Sequence, residues 1–380
     1  MTYELGRGSG PLRGVRVVEI AGIGPGPHAC MILADLGADV IRLERDGGGP
    51  YGPTGYDVLT RGRPSVAVDL KHPAAAAMVL DLVERADALV EGLRPGTTER
   101  LGLGPDDCLA RNPRLVYGRM TGWGQTGPLA STAGHDLNYI GVAGVLDGLG
   151  QDPARPHFPG NLLGDFGGGS TYLVIGILAA LLEARASGRG QVVDAAIVDG
   201  TAHLGAMIAS LLANGLTGPT RGAGLLDGGA PFYDVYETAD GRHLSVAALE
   251  PQFYAELVER LGLADTLPDR DDPANHGRIR AVLAETFRRR TQAEWVEHFE
   301  GSDACVGPVV PYAEAPDHPH LMERGTYVER DGVVQPAPAP RFSRTEATVS
   351  AAGPGAREAL SAWGLDAAAL LASGAVIRPG

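Results

Sequence analysis

Apolar runs and helical periods alternate along the first 200 residues of the chain. Short apolar runs that predict buried strands occur at residues 15–20, 39–43, 65–69, 88–91, 115–120 and 191–195. Between these runs, apolar residues recur at helical spacing over residues 28–37, 74–86 and 173–186. Strands that alternate with helices predict a parallel sheet covered by helices. We therefore expect an α/β fold for this part of the chain.

The pattern changes in the second half of the chain. Residues 236–249 alternate as a β-hairpin does, with Asp240-Gly241 at the turn, and Pro251 stands where a helix would begin. Thr291 and Glu294 form a capping box, which predicts a further helix. We therefore predict the first part of a large domain at 1–200, a linker helix at 201–220, a small α+β domain at 221–325, and a return linker with the C-terminal part of the large domain at 326–380.

Charge and composition narrow the range of partners. The formal net charge of −14 argues against a nucleic-acid-binding face, because such a face is basic. Lys71 is the only lysine among 32 basic residues. A GC-rich genome explains this bias most simply, although arginine also suits the bidentate binding of phosphates. An acidic protein can therefore still hold an anionic ligand in a local arginine cluster.

The cysteines and the apolar segments bear on the cellular location of the protein. Cys30, Cys108 and Cys305 lie far apart, are odd in number and lack the paired spacing of zinc ligands, so a reducing cytoplasm is their simplest environment. The N-terminal residues lack the apolar core of a signal peptide. The longest apolar run, residues 172–182, is shorter than the roughly 20 residues that cross a bilayer. We expect a cytoplasmic protein with no metal and no membrane partner.

The segment after the first predicted strand has the spacing of a dinucleotide-binding loop. Gly24, Gly26 and Ala29 fit G-x-G-x-x-A, and the backbone N–H groups of such a loop bind a pyrophosphate. Here Pro25 and Pro27 lack the N–H groups that this ligand requires, although proline is accepted in the first turn of a helix. We therefore interpret the loop as a strand-to-helix turn that can line a pocket, rather than as a nicotinamide or flavin site.

Three polar segments are candidates for chemistry. His135 precedes Asp136 at a predicted helix start, where Asp136 could serve only as a helix cap. Asp165 comes directly before three glycines and an apolar helix. Its carboxyl group is either a helix N-cap or part of a site in which backbone N–H groups face a developing oxyanion. Glu250 lies between a strand and a proline-started helix, either as a helix-terminal charge or as a side chain that faces a cleft.

Together with the surrounding motifs, these segments make the chain resemble the α-methylacyl-CoA racemases, within the superfamily of family III CoA transferases. The resemblance covers nearly the whole chain, and many distinct motifs occur in the same order. The matching segments are AGIGPGPHA (21–29), DLGADVIRLER (35–45), EGLRPGTTERLGLGP (91–105), MTGWGQTGP (120–128), GHDLNY (134–139), GDFGGGS (164–170), GRGQVVDAAIVDG (188–200), DGGAPFYDVYETADGR (227–242), LEPQFY (249–254) and SDACVGPV (302–309).

The resemblance implies roles for individual residues. In similar racemases the histidine of GHD and the aspartate of GDFGGG are the two catalytic acid/base residues, which here are His135 and Asp165. The glutamate of LEPQFY, here Glu250, would orient the histidine and support its charge. The residues implied to bind the substrate or its CoA part are Ile23, Arg45, Lys71, Arg94, Arg100, Gly134, Asp136 and Tyr139. For Lys71, a solvated surface position is an equally good interpretation.

The resemblance also implies an architecture. The fold would be a Rossmann-like large domain with a parallel sheet plus a smaller α+β domain. Two chains would interlock as rings in a homodimer, and the small domain of one chain would complete the active site of the other, with Glu250 contributed across the dimer. CoA would be part of the acyl-CoA thioester substrate, so no separate cofactor is expected.

The residue types fit the implied chemistry. A 2-methylacyl thioester has a weakly acidic α-hydrogen, and its inversion through an enolate needs a base on one face and an acid on the other. Histidine exchanges protons near neutral pH. Asp165 must be partly protonated to act as an acid, so we expect burial to raise its pKa. The alternative is CoA transfer, with Asp165 as the nucleophile that forms an acyl anhydride. The histidine and the glutamate favour the racemase.

Overall fold

The computed structural model describes residues 4–47, 56–218, 220–349 and 353–378. The strands are β1 (Arg16–Ile20), β2 (Asp39–Glu44), β3 (Ser65–Val68), β4 (Ala88–Glu91), β5 (Val116–Thr121), β6 (Gln191–Ala196), β7 (Tyr233–Glu237), β8 (His243–Ala247), β9 (Val306–Val309), β10 (Tyr327–Arg330), β11 (Val333–Pro336) and β12 (Val376–Arg378). The α-helices are α1 (Pro25–Asp35), α2 (Pro73–Val83), α3 (Thr97–Arg100), α4 (Pro105–Arg111), α5 (Asp136–Val142), α6 (Thr171–Ser187), α7 (Ile197–Leu204), α8 (Ala206–Ala213), α9 (Pro251–Arg260), α10 (His276–Phe287), α11 (Gln292–Phe299), α12 (Pro319–Arg324), α13 (Ala356–Ala362) and α14 (Ala367–Ser373).

The main sheet has the strand order β12-β3-β2-β1-β4-β5-β6. The β2–β3, β1–β2, β1–β4, β4–β5 and β5–β6 pairs are parallel, whereas β12 pairs antiparallel with β3 at one edge. The order β3-β2-β1-β4-β5-β6 is that of a doubly wound α/β fold, in which the winding reverses between β1 and β4. The predicted α/β architecture is therefore confirmed. The short edge strand β12 was not predicted.

Alternate side chains of the central strands pack on opposite faces of the sheet, as the pleat requires. Val17 belongs to a core cluster with Leu33 of α1 and with α6. The next residue, Val18, belongs to a separate cluster with Leu82 of α2 and Trp363 after α13. All five side chains are at most 1% exposed, and burial of each valine or leucine contributes about 1.5–3 kcal/mol. The near-continuous apolar runs of the sequence follow from this burial on both faces.

Two buried ion pairs cross the sheet near the carboxyl ends of its strands. Glu19 of β1 is in register with Arg42 of β2, and the two side chains form a short salt bridge. Glu91 of β4 is in register with Arg119 of β5, and their side chains are 2.9 Å apart. Removal of one partner from such a buried pair costs about 3–5 kcal/mol, because the other charge is left uncompensated.

The chain divides into two compact units. The first comprises residues 1–143, 159–204 and 325–380, and the second comprises 144–158 and 205–324. The second unit contains the antiparallel sheet β7-β8-β9, with a core that includes Leu244, Leu257, Phe287 and Trp295. The predicted hairpin, the helix that begins at Pro251 and the capping box at the start of α11 are all present.

The π-helical segment Leu162–Ser170 continues directly into α6. Together they form one helix of 26 residues that is long and apolar enough to cross a bilayer by length and composition. A buried helix of a globular core passes the same test, and 44% of the apolar window is buried in the protein. Leu173 and Ile177 of α6 are fully buried in the core of the first unit.

Candidate active site

A cavity of about 720 Å³ opens at the carboxyl ends of the parallel strands. Its wall includes the residues that follow β1 and β4, so it lies at the point where the winding of the sheet reverses. Ligands of open α/β sheets bind at this position, and the volume is in the usual range for a small-molecule site. The lining residues are Glu19–Gly26, Arg42, Glu44, Arg45, Val90–Arg94, Met120–Gly122, Gly134, His135, Tyr139, Asp165 and Ile197.

His135 lies at this cavity as the N-cap residue of α5. Its backbone N–H donates to Asn138 Oδ1 at 3.1 Å, and its carbonyl accepts from the Asn138 N–H at 2.8 Å. These bonds fix the backbone of His135, while its side chain is exposed. The interpretation of Asp136 as the helix cap is wrong, because Asp136 is already the first residue of the helix.

Asp165 lies in the π-helical segment and reaches the same cavity. Its backbone N–H donates to Oδ1 of Asp136 at 2.7 Å, so Asp136 anchors the segment rather than the helix start. Asn161 Nδ2 donates to Oδ2 of Asp165 at 3.2 Å. The carboxyl group therefore does not act as an N-cap. It is held half-buried between an amide donor and the wall of the cavity.

The surroundings of Asp165 alter its proton affinity. Burial raises the pKa of the carboxyl group above its ordinary value, and the negative charge of Asp136 raises it further. The hydrogen bond from Asn161 and the charge of His135 lower the pKa, but the net shift is upward. The predicted effect of burial on Asp165 is thus confirmed. His135 and Asp165 line the same cavity.

Glycines allow the backbone to approach closely on both sides of Asp165. Gly24 has φ +70°, a conformation that side chains disfavour, and a Cβ atom there would lie 3.3 Å from Asp165 Oδ2. A Cβ atom on Gly168 would lie 2.5 Å from Thr201 Oγ1.

Two of the N–H groups expected to face an oxyanion are already in use, since Asp165 N–H donates to Asp136 and Phe166 N–H to the Asn161 carbonyl at 3.4 Å.

The other predicted ligand-binding residues divide into two groups. Ile23, Arg45, Arg94, Gly134 and Tyr139 line the cavity with His135 and Asp165. Lys71 and Arg100 are exposed and lie outside this lining, and the buried Asp136 also lies outside it. The Arg100 side chain instead donates to Thr97 Oγ1 at 3.0 Å.

Tyr139 joins the His135 segment to the rest of the cavity wall. Its hydroxyl donates to the Gly134 carbonyl in a short hydrogen bond. Burial raises the pKa of Tyr139, and the nearby charge of Asp165 adds to this effect. Its ring lies so close to Gly122 that a Cβ atom there would be 2.0 Å from the ring. Tyr139 thus fixes the shape of the cavity between the two candidate acid/base residues.

Glu250 belongs to the second unit, where it is the N-cap residue of α9. Arg270 fixes the backbone just before it, donating to the carbonyls of Ala248 and Leu249 at 3.1 and 2.7 Å. The Arg270 guanidinium also lies over the ring of Tyr254, 4.8 Å from its centroid. Glu250 is therefore held at a defined place within its own unit.

Two residues of the cavity region were missed by the sequence analysis. Asn161 donates to Asp165, and its only sequence signal is a position four residues before that aspartate, which places the two side chains on one helical face. Glu91 is 1% exposed at the end of β4 and lines the cavity. Burial raises the pKa of its carboxyl group. Among the described residues, no group of three or more His, Cys, Asp or Glu side chains could hold a metal ion.

Comparison with known proteins gives a consistent result. Residues 12–358 match the sequence model of CoA-transferase family III. The chain is 45% identical over 342 residues to the α-methylacyl-CoA racemase of Mus musculus, covering 90% of this chain and 88% of the mouse protein. It is 43% identical over 345 residues to the α-methylacyl-CoA racemase of Homo sapiens, covering 89% and 88%.

A solved structure shares the fold. The crystal structure of a CAIB/BAIF family protein from Brucella suis superposes with a TM-score of 0.78 at 29% sequence identity. The match covers 96% of this chain and 99% of the Brucella chain.

Proposed function

Because the chain belongs to CoA-transferase family III, we propose that it is a racemase that inverts the α-carbon of 2-methylacyl-CoA thioesters. The proposed reaction is a proton transfer between two acid/base groups through an enolate, and it needs no separate cofactor. One observation carries the proposal, namely that His135 and the half-buried Asp165 line the same cavity. The mouse and human relatives that are 45% and 43% identical carry the racemase name.

The two side chains suit opposite halves of such a reaction. When one group removes the α-proton, the other must give a proton to the opposite face of the enolate. The raised pKa of Asp165 increases the fraction of neutral carboxyl at a given pH, so that it can donate as well as accept. When the enzyme starts from the opposite enantiomer, Asp165 and His135 exchange these roles.

The cavity also has features that suit an acyl-CoA. Arg45 and Arg94 are exposed at its wall, where their guanidinium groups would bind phosphate oxygens in charge-assisted hydrogen bonds. Ile23 is 83% exposed at the same wall and would contact an apolar part of the substrate. Arg100 and Lys71 are proposed to contact the CoA part of the substrate, and Asp136, which is buried and accepts from the Asp165 N–H, is proposed to lie near the thioester.

The active form is proposed to be a homodimer of interlocked chains, with Glu250 contributed by the second chain. All eight residues of α8 are exposed or half-buried, although the helix is almost entirely apolar. Met207, Ile208 and Leu212 are 58%, 44% and 53% exposed. A helix that is apolar on all sides requires a covering surface. Light scattering should give the mass of two chains, and Leu212→Glu should yield monomers. A monomeric wild type would contradict the interlocked arrangement.

The proposed location is the cytoplasm. All three cysteines are free thiols, and Cys305 is exposed. Exposed thiols persist in a reducing compartment. Fractionation of cells that express the chain would test the location directly.

Incubation of one acyl-CoA enantiomer in D₂O tests the reaction. A racemase should incorporate one α-deuterium, seen by proton NMR, and form the other enantiomer without an acceptor acid. A CoA transferase, with Asp165 as nucleophile, would leave the α-hydrogen in place and would require a second acid. If the wild type neither incorporated deuterium nor inverted the α-carbon, the proposal would be overturned. Transfer of CoA to an added acid would instead identify a CoA transferase.

A further inference from the structure

His28 of α1 contacts the segment that carries Asp165 at two points. Its Nδ1 lies 2.6 Å from the hydroxyl of Ser170, the last residue of the π-helical segment. Its ring packs on the ring of Phe166, with centroids 4.5 Å apart and an interplanar angle of 32°. Phe166 directly follows Asp165 in the chain. The imidazole therefore contacts both the residue after Asp165 and the end of the segment.

The Ser170 hydroxyl has two hydrogen-bond partners, His28 Nδ1 and the Phe166 carbonyl. The Phe166 carbonyl accepts from the Thr171 N–H and from the Thr171 hydroxyl at 2.9 Å, and these two donors occupy both of its lone pairs. Its distance to Ser170 Oγ is 3.1 Å, longer than the 2.6 Å from that hydroxyl to His28. Of the two contacts of the Ser170 hydroxyl, the one to His28 is thus the shorter.

The surroundings of His28 keep it neutral. Burial and, to a lesser extent, the charges of Arg61 and Arg63 lower its pKa to about 4. Arg63 also donates to the carbonyl of Pro27, directly before His28, at 2.9 Å. This end of α1 is thereby anchored to a chain segment other than the π-helical segment. Ser170 is 0% exposed, so its hydroxyl has no access to water in place of the imidazole.

The N-terminal turn of α1 also lies against the same segment. Gly24, four residues before His28, faces the Asp165 carboxyl group, with 3.3 Å from a Cβ atom built there to Oδ2. A Cβ atom on Gly169 would lie 3.3 Å from Cβ of Pro25. Small displacements between α1 and the segment would therefore move the carboxyl group relative to the cavity wall.

We infer that His28 is a positioning residue, which holds the π-helical segment through Ser170 and Phe166 and so fixes the Asp165 carboxyl group for proton transfer. This inference rests on the function proposed above. His28 lies outside the residues that line the cavity, so it acts on the rate of proton transfer and not on substrate binding.

A double-mutant cycle tests the inference. His28→Phe keeps a ring against Phe166 but removes the nitrogen, and Ser170→Ala removes the hydroxyl. Each single variant should lower kcat about 10- to 100-fold with KM unchanged, since a displacement of about 1 Å has effects of this size. The double variant should lose no more than the worse single variant, because removal of both partners leaves no buried polar group unpaired.

Hydrogen exchange followed by mass spectrometry supplies a readout that is independent of activity. Amides of residues 162–170 should exchange faster in both single variants than in the wild type. The control is His298→Phe in the second unit. His298 is likewise half-buried, with one hydrogen bond, from Nε2 to the Arg260 carbonyl at 2.9 Å, and a ring contact to Phe299 at 5.1 Å. This variant should leave kcat and the exchange of residues 162–170 unchanged.

Each outcome decides one question. An unchanged kcat, losses that multiply in the double variant, or unchanged exchange of residues 162–170 would overturn the inference. Faster exchange with full kcat would show that the contact is merely structural. If the wild type itself fails to exchange the α-hydrogen of the acyl-CoA, the proposed function fails, and the role of His28 in proton transfer fails with it. The exchange of residues 162–170 then reports separately whether the contact holds the segment.

Discussion

His135 and Asp165 reach the same cavity, yet the protein holds them in opposite ways. His135 is exposed at the start of the seven-residue helix α5, and its hydrogen bonds to Asn138 fix its backbone. Asp165 is half-buried, and hydrogen bonds from its own backbone to Asp136 and from Asn161 to its carboxyl group fix both parts of the residue.

The difference shows which group needs help from the fold. An imidazole exchanges protons near neutral pH without a special environment. A carboxyl group is ionised at that pH unless burial or a like charge raises its pKa, and both causes act on Asp165. The π-helical segment therefore places the aspartate where burial and a like charge help it hold a proton, and the short helix α5 presents the histidine at the same cavity.

Removal of either group is expected to have the largest effect. His135→Ala and Asp165→Asn should each lower racemisation about 10²- to 10⁴-fold, the usual contribution of a positioned acid or base. The remaining group still serves one face, so residual α-deuterium exchange should favour one enantiomer in the first variant and the other enantiomer in the second. Chiral chromatography and NMR would measure both. Equal exchange of the two enantiomers in either variant would break the assignment to opposite faces.

The comparison also requires that one acyl-CoA reaches both groups. Arg94 lines the cavity and Arg100 does not, so Arg94→Ala should raise KM about 10-fold, the loss expected for one charge-assisted hydrogen bond. Arg100→Ala should raise KM less. Steady-state kinetics of both variants gives the order of the effects. A larger effect at Arg100 would place the CoA part outside the cavity described above.

Two neighbours of Asp165 should move its titration in opposite directions. Asp136→Asn keeps an oxygen that accepts from Asp165 N–H but removes a negative charge, so the pKa of Asp165 should fall. Asn161→Ala removes a hydrogen bond that lowers this pKa, which should therefore rise. In the pH dependence of kcat, the pKa assigned to Asp165 should therefore shift to lower pH in Asp136→Asn and to higher pH in Asn161→Ala. If this pKa shifted in the same direction in both variants, the environment assigned to Asp165 would be contradicted.

The smallest expected effect concerns stability. The folded-state pKa of Asp165 lies above its ordinary value of 3.8, so its favourable contribution is present at low pH and is lost as pH rises through the folded-state pKa. At neutral pH the buried charge is unfavourable, and Asp165→Asn should raise the Tm slightly. This increase in Tm should become smaller as the pH falls toward 4. Thermal unfolding at several pH values measures it, and a Tm below that of the wild type at neutral pH would refute this account.

Much of the fold was predictable because it depends on local patterns. The apolar runs at 15–20 and 39–43 correspond to β1 and β2, and the capping box at Thr291 begins α11. The prolines of the loop at 24–27 correctly predicted a strand-to-helix turn at a pocket. The edge strand β12 was missed, since three residues have too little pattern of their own and depend on β3 for pairing.

The site was predictable only in part. The resemblance supplied His135 and Asp165, and the structure brings both to one cavity with Arg45, Arg94 and Tyr139. The π-helical form of residues 162–170 could not be predicted, because the apolar and glycine pattern fits an ordinary helix start equally well. The hydrogen bond between Asp136 and Asp165 joins residues 29 positions apart, a distance at which spacing carries no signal.

The sequence by itself determined most of the strands, helices and turns, since each of these depends on neighbours within a few positions of the chain. Only the tertiary structure decided what the candidate acid/base residues experience. The burial of Asp165, the charge of Asp136 beside it and the contact from His28 all arise where separate segments meet. The pKa of a group depends on every charge and hydrogen-bond partner around it, and these come together only after the chain has folded.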